Sequence, residues 1–114
     1  MSSDTIFGKI IRGEVPTATL HADDRCIVIQ DIHPQAPFHA LVIPKKPLVS
    51  LATAQKEDEA LLGHCLLVAR QVAEKAGCGT AFRVVSNAGE GAGQSVAHLH
   101  FHVLGGRPMK WPPG

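Results

Sequence analysis

The stretch that decides the fold is Val96-Ala-His-Leu-His-Phe-His-Val-Leu104, in which only Leu99 and Phe101 separate His98, His100 and His102. Side chains of an extended chain alternate between faces. The segment therefore reads as a strand over 96–104, with Ala97, Leu99, Phe101 and Val103 on one wholly apolar face. That face must cover a core. The three imidazoles stand in file on the other face, read as the open one. Neighbouring α-carbons in the file lie about 6.5–7 Å apart and the outer two about 13 Å apart.

Working outward, Gly and Pro break the chain into short elements. Asn87 to Ser95 is a Gly-rich loop, and Ala81 to Ser86 reads as a strand. Upstream, Leu61, Leu62, Cys65, Leu66, Ala69, Val72, Ala73 and Ala76 recur at helical spacing, which predicts a helix over 53–76. Acidic residues 57–59 near its start and Lys75 near its end suit the helix dipole. Gly77 suits a left-handed stop. Thr17 to His21, Cys26 to Asp31 and His39 to Ile43 read as strands, the last two dense in β-branched residues. A Pro-punctuated loop over 32–38 separates those two, and Lys45-Lys46-Pro47 reads as a solvated turn. Asp4 to Arg12 reads as a short helix capped by Ser3 or Asp4, with Ile6, Phe7, Ile10 and Ile11 in one apolar stripe. Strands joined through loops, with one long and one short helix, give an α+β protein with an antiparallel sheet.

The chain has 114 residues, room for one domain over 1–114, and is 45% hydrophobic. A formal charge of +1 argues against a broad phosphate-neutralising surface for nucleic acid, but not against one small anionic ligand. Cys26, Cys65 and Cys78 are odd in number and form no CxxC pair, so buried free thiols are expected rather than a disulfide framework. No basic region followed by an apolar run opens the chain, and no apolar run approaches the ~20 residues of a membrane span. The expectation is a soluble cytoplasmic protein.

Three readings of the histidine file compete. Three same-face histidines are improbable as packing. A metal site is the second reading, since two histidines at i and i+2 on a strand can chelate zinc. A third ligand would come from elsewhere, and His39 is available. The third reading is catalytic: a neutral imidazole is a nucleophile at neutral pH, and its neighbours can bind and orient a negatively charged electrophile. The loop before the strand, with Gly91, Gly93 and Gln94-Ser95, can present amides and a hydroxyl to phosphate oxygens.

With these residues in view, the chain resembles the histidine triad superfamily. His98-Leu-His-Phe-His-Val-Leu104 matches its signature of three histidines separated by apolar residues. "DTIFGKIIRGEVP", "DDRC", "PQAP", "HALVIPKKP" and "GQSVAHLHFHVLGGRPMKWPPG" are similar to the histidine triad nucleotide-binding (Hint) branch, from Asp4 to Gly114.

That resemblance implies a HIT-like α+β fold, with a five-stranded antiparallel sheet, one long helix and one short helix. It implies a homodimer sharing a ten-stranded sheet. It implies a hydrolase acting on phosphoramidates of purine nucleoside monophosphates, with no metal or other cofactor; the charge and the short apolar runs add the expectation of no nucleic-acid or membrane partner. His100 is then the nucleophile, its Nδ1 held by a backbone carbonyl. His102, Ser95, Asn87 and the amides of Gly93 and Gln94 would hold phosphate oxygens. His39 and His98 would complete the polar cluster, and Ser95 would help the amine leave. Asp31 would accept both ribose hydroxyls. Phe7, Ile10, Val15, Ile29, Ile32 and Leu41 would line the base pocket, and Trp111 would reach toward the partner protomer's site. Two positions depart from the family pattern: His33 stands where a small polar residue is expected, and Ile29 where relatives often carry an aromatic. His21 and His64 match no site position and read as surface residues. A nucleotide sensor or scaffold with slow turnover, and a dinucleoside polyphosphate hydrolase or nucleotidyl transferase, remain the alternatives.

Overall fold

A computed structural model of the chain describes residues 5–114. In chain order the elements are α1 (Ile6–Ile11), β1 (Thr19–Ala22), β2 (Cys26–Gln30), β3 (Phe38–Pro44), α2 (Glu59–Lys75), β4 (Phe82–Val85) and β5 (Phe101–Gly105). The strands form one sheet in the order β1-β2-β3-β5-β4, and every neighbouring pair is antiparallel. The α+β expectation of five strands, one long helix and one short one is met. Among the described residues no helix is long and apolar enough to cross a membrane.

The central strands are apolar on both faces because both faces are covered. Cys26, Val28, Ala40, Val42, Leu99, Phe101 and Val103 pack against Cys65, Val68, Ala69, Val72 and Ala73 of α2. On the other face, Ile27, Ile29, Leu41 and Ile43 pack with Phe7 of α1, and Ile10, Ile11 and Val96 close around them. Burial of this kind contributes about 25 cal/mol per Å² of apolar surface removed from water. It explains why β2 and β3 read as near-continuous hydrophobic runs rather than alternating ones.

Several expected boundaries move, each for a local reason. The cap expected at Ser3 or Asp4 lies outside the described residues; Thr5 caps α1, its side chain accepting from the Gly8 amide at 3.1 Å. The long helix begins at Glu59 rather than Thr53. Two short 3₁₀ turns, Leu51–Thr53 and Lys56–Asp58, precede it. Asp58 organises the second, accepting from the Gln55 amide at 2.8 Å while pairing with Lys46. Leu66, read as part of the core stripe, is exposed along with Leu67, so α2 carries a second apolar patch that none of the described residues covers.

The histidine strand is the main correction. β5 starts at Phe101, five residues later than expected, because the preceding backbone is engaged elsewhere. The Leu99 amide donates to the Leu48 carbonyl at 2.7 Å, and the His100 carbonyl accepts from the Ser86 hydroxyl at 2.9 Å. The core face survives at Leu99, Phe101 and Val103, but Ala97 is exposed. The imidazole face is not open either. α1 lies over it, with Phe7 edge-on to both His98 and His100.

Candidate active site

The same crossing of α1 over the sheet makes a cavity of about 370 Å³. Phe7, Ile10, Val15, Ile29 and Leu41 line its apolar end, and Asp31, Ser95, His100 and His102 its polar end. Ile32 also lines it, although 84% exposed. His33 lines it too, its backbone amide donating to Asp31 Oδ1 at 2.8 Å.

His100 is 5% exposed. Its Nδ1 lies 2.7 Å from the His98 carbonyl oxygen. A carbonyl only accepts, so Nδ1 carries the proton and Nε2 keeps its lone pair. The Ser86 hydroxyl fixes the His100 backbone from β4's end. Sequence reasoning missed Ser86, because a serine after a strand carries the signal of a turn and nothing more.

His102 is oriented by a second chain of bonds. The Gln35 amide donates to His39 Nδ1 at 3.0 Å, which leaves the proton of a neutral His39 on Nε2. That Nε2 lies 2.9 Å from His102 Nδ1 and donates to it. The remaining nitrogen of His102, Nε2, is then an N–H donor. Nucleophile and donor thus come from two neighbouring rings of opposite tautomer, 5.1 Å apart between centroids.

Burial pushes the pKa of His39, His98 and His100 below the ordinary imidazole value. For His102, burial and then the neighbouring His100 and His39 push it down to about 4. All four rings are neutral at pH 7, the state the two bond chains require.

The other expected residues stand further off. His98 is buried behind the cavity, its Nε2 donating to the Pro44 carbonyl at 2.8 Å. His39 supports His102 from behind and does not line the cavity. The Gly93 and Gln94 amides donate within the loop, to the Glu90 and Gly89 carbonyls. The Gln94 side chain clamps the same loop. Its Oε1 accepts from the Gly89 amide, and its Nε2 donates to the Val49 and Val96 carbonyls. Asn87 lies under Gly93, whose φ of +97° only glycine adopts readily. Trp111 is 83% exposed and away from the cavity.

Asp31, His39 and His102 bring three possible metal-ligand atoms within 4.8 Å of one another. Two of those rings already bond each other through the nitrogens that would face an ion.

His21 and His64 are not plain surface residues. Both bond Asp23 Oδ2 through Nε2, at 2.7 and 2.8 Å, where the β1–β2 turn meets α2.

Residues 12–109 match the model of the HIT domain. The chain is 57% identical to an uncharacterized HIT-like protein of Synechocystis sp., over 100% of both chains. Its fold is similar to a HIT family hydrolase from Legionella pneumophila: the TM-score is 0.95 at 40% identity, covering 97% of this chain and 100% of that one. A HIT family hydrolase from Clostridium thermocellum is similar at a TM-score of 0.90 and 38% identity, covering 94% of each chain.

Proposed function

The chain belongs to the HIT domain family, and from that premise we propose that it is a purine nucleoside phosphoramidase working through a nucleotidyl-histidine. The observation that carries this reading is the His100–His98 bond, which leaves the lone pair on Nε2 of a neutral ring that lines the cavity.

In this mechanism His100 Nε2 attacks the α-phosphorus of an AMP-type phosphoramidate. An N–P bond forms as the P–N bond to the amine breaks. Ser95 passes a proton to the leaving nitrogen and regains one from solvent. Water then attacks phosphorus, releasing nucleoside monophosphate and restoring neutral His100. Covalent catalysis of this kind divides one difficult step into two easier ones. The intermediate ring is cationic, and its Nδ1–H strengthens its bond to the His98 carbonyl as charge develops.

The His102 N–H and the Ser95 hydroxyl would meet the phosphate oxygens. Asn87, Gly93 and Gln94 would shape the loop that carries Ser95. Asp31 would accept the ribose hydroxyls, and the apolar end of the cavity would take the base through stacking and burial. The HIT family hydrolases among the similar structures support the hydrolase class.

A homodimer belongs to the same reading. Exposed Leu66 and Leu67 on α2, the outer edge of β4, unpaired among the described residues, and the exposed Trp111 supply surfaces for a second copy.

The test is turnover of an adenosine 5′-phosphoramidate in the presence of chelator, beside His100→Ala. Robust hydrolysis by the native chain and loss of about 10³-fold or more in the variant are expected for removal of a nucleophile. Equal rates would remove His100 from the reaction.

A further inference from the structure

On the far side of the sheet, where α2 packs, a second group of polar side chains belongs to no part of this mechanism. Asp23 sits at the β1–β2 turn. Its Oδ1 accepts the amides of Arg25 and Cys26, both at 2.8 Å, which fixes the carboxylate's direction. Its Oδ2 faces His21 Nε2 at 2.7 Å, His64 Nε2 at 2.8 Å and Cys26 Sγ at 3.7 Å. The possible ligand atoms of His21, Asp23 and Cys26 all lie within 4.8 Å of one another.

We propose that His21 Nε2, Asp23 Oδ2 and Cys26 Sγ form a binding site for a borderline-soft divalent cation such as zinc. The donor set is one imidazole, one carboxylate and one thiolate, which suits tetrahedral zinc or cobalt. The spacing fits as well. Zinc bonds of about 2.3 Å to sulfur and 2.1 Å to oxygen put tetrahedral S and O ligands about 3.6 Å apart. The Sγ and Oδ2 of this chain already lie 3.7 Å apart. The His21–Asp23 pair must open to about 3.3 Å, a small movement for a half-buried ring.

The turn amides that hold Oδ1 play the part of an outer shell, orienting the ligand oxygen before any ion arrives. His64 stands beside the fourth position but does not occupy it in this state. Arg25 Nη2 donates to His64 Nδ1 at 3.1 Å, so a neutral His64 carries its proton on Nε2. A water, or His64 after Arg25 swings away, completes the tetrahedron.

The protons balance simply. The metal–sulfur bond replaces the Cys26 S–H, whose proton goes to solvent. The His21 proton moves from Nε2 to Nδ1. Asp23 is already ionised: burial pushes its carboxyl up, but the bonds from His21, Arg25, Cys26 and His64 hold it well below the usual range. The hydrogen bond with Cys65 and burial raise the Cys26 thiol, so the cation itself must drive deprotonation, as coordinating metals do.

The experiment is a cobalt titration of the chelator-stripped full chain, read by optical absorption. One equivalent per chain should bind, with a thiolate-to-cobalt charge-transfer band and the d–d bands of a tetrahedral ion. Cys26→Ser should lose the charge-transfer band. His21→Gln, on the surface hairpin, should weaken cobalt by more than about tenfold, and zinc should displace cobalt. His39→Asn, in the other histidine cluster, should leave the spectrum intact. If Cys26→Ser fails to fold, His21→Gln and His39→Asn decide alone. Absence of a thiolate band, its survival in Cys26→Ser, unchanged affinity in His21→Gln, or its loss in His39→Asn would each overturn the site. None of these readouts depends on turnover, so failure here leaves the phosphoramidase reading standing.

Discussion

The imidazoles of His39 and His102 meet at 2.9 Å, Nε2 to Nδ1, with the Gln35 amide donating to the far side of His39. One backbone amide on the loop before β3 therefore decides which nitrogen of His102 carries a proton. His39 is a positioning residue: it acts through His102 and lines no part of the cavity.

Replacing His39 with Ala should lower kcat by roughly tenfold or more, the worth of an oriented hydrogen bond to a charged group. KM should change less. Nitrogen NMR of His102 separates orientation from mere packing. The native ring should show its proton on Nε2, and the variant a mixture of tautomers. An unmixed ring in the variant would contradict the relay.

Acid should destabilise the fold before it reaches the carboxylates. His102 binds its proton at about pH 4 when folded, against an ordinary value of 6.5. As pH falls below 6.5, the unfolded chain takes up protons that the folded chain refuses, so stability is lost down to about pH 4 and then levels for this group. Denaturant titrations should record a loss on the order of 3 kcal/mol across that window, reduced in His102→Asn. The same depression at His100 should carry the acid limb of kcat/KM below the ordinary imidazole value. An acid limb at or above 6.5 would contradict it.

Ser86→Ala removes the donor to the His100 carbonyl. A loss of about 1 kcal/mol in stability is expected, with a several-fold fall in turnover as the backbone under the nucleophile loosens. Thermal melts and steady-state kinetics check both. Unchanged turnover would confine Ser86 to the fold.

Asp31→Ala should erase discrimination between ribonucleoside and 2′-deoxyribonucleoside substrates. The native chain should prefer the ribonucleoside by roughly tenfold or more in kcat/KM, as for hydrogen bonds to a carboxylate. A preference that persists in the variant would move ribose recognition elsewhere.

What the sequence made legible follows periodicity. Alternation at Leu99, Phe101 and Val103 marked the core face, and helical spacing marked Cys65, Ala69, Val72 and Ala73; all are buried. The residues of the pocket came through resemblance, since Phe7, Ile10 and Ile29 carry no local signal apart from hydrophobicity. Long-range partners left no trace. The Leu48 carbonyl holds the Leu99 amide, so the strand starts late, at Phe101. Asp23 gathers His64 from a helix far along the chain, so a residue read as surface joins a cluster. Gln94 sits in a loop rich in glycine, where its amide suggested phosphate. Its buried side chain instead clamps that loop to Val49 and Val96.

The most direct measurement is rapid-quench mass spectrometry of the chain mixed with excess adenosine 5′-phosphoramidate. A covalent mechanism predicts an adenylylated peptide containing His100, formed at least as fast as steady-state turnover and absent from His100→Ala. Turnover without that adduct, or an adduct on another residue that survives His100→Ala, would contradict it.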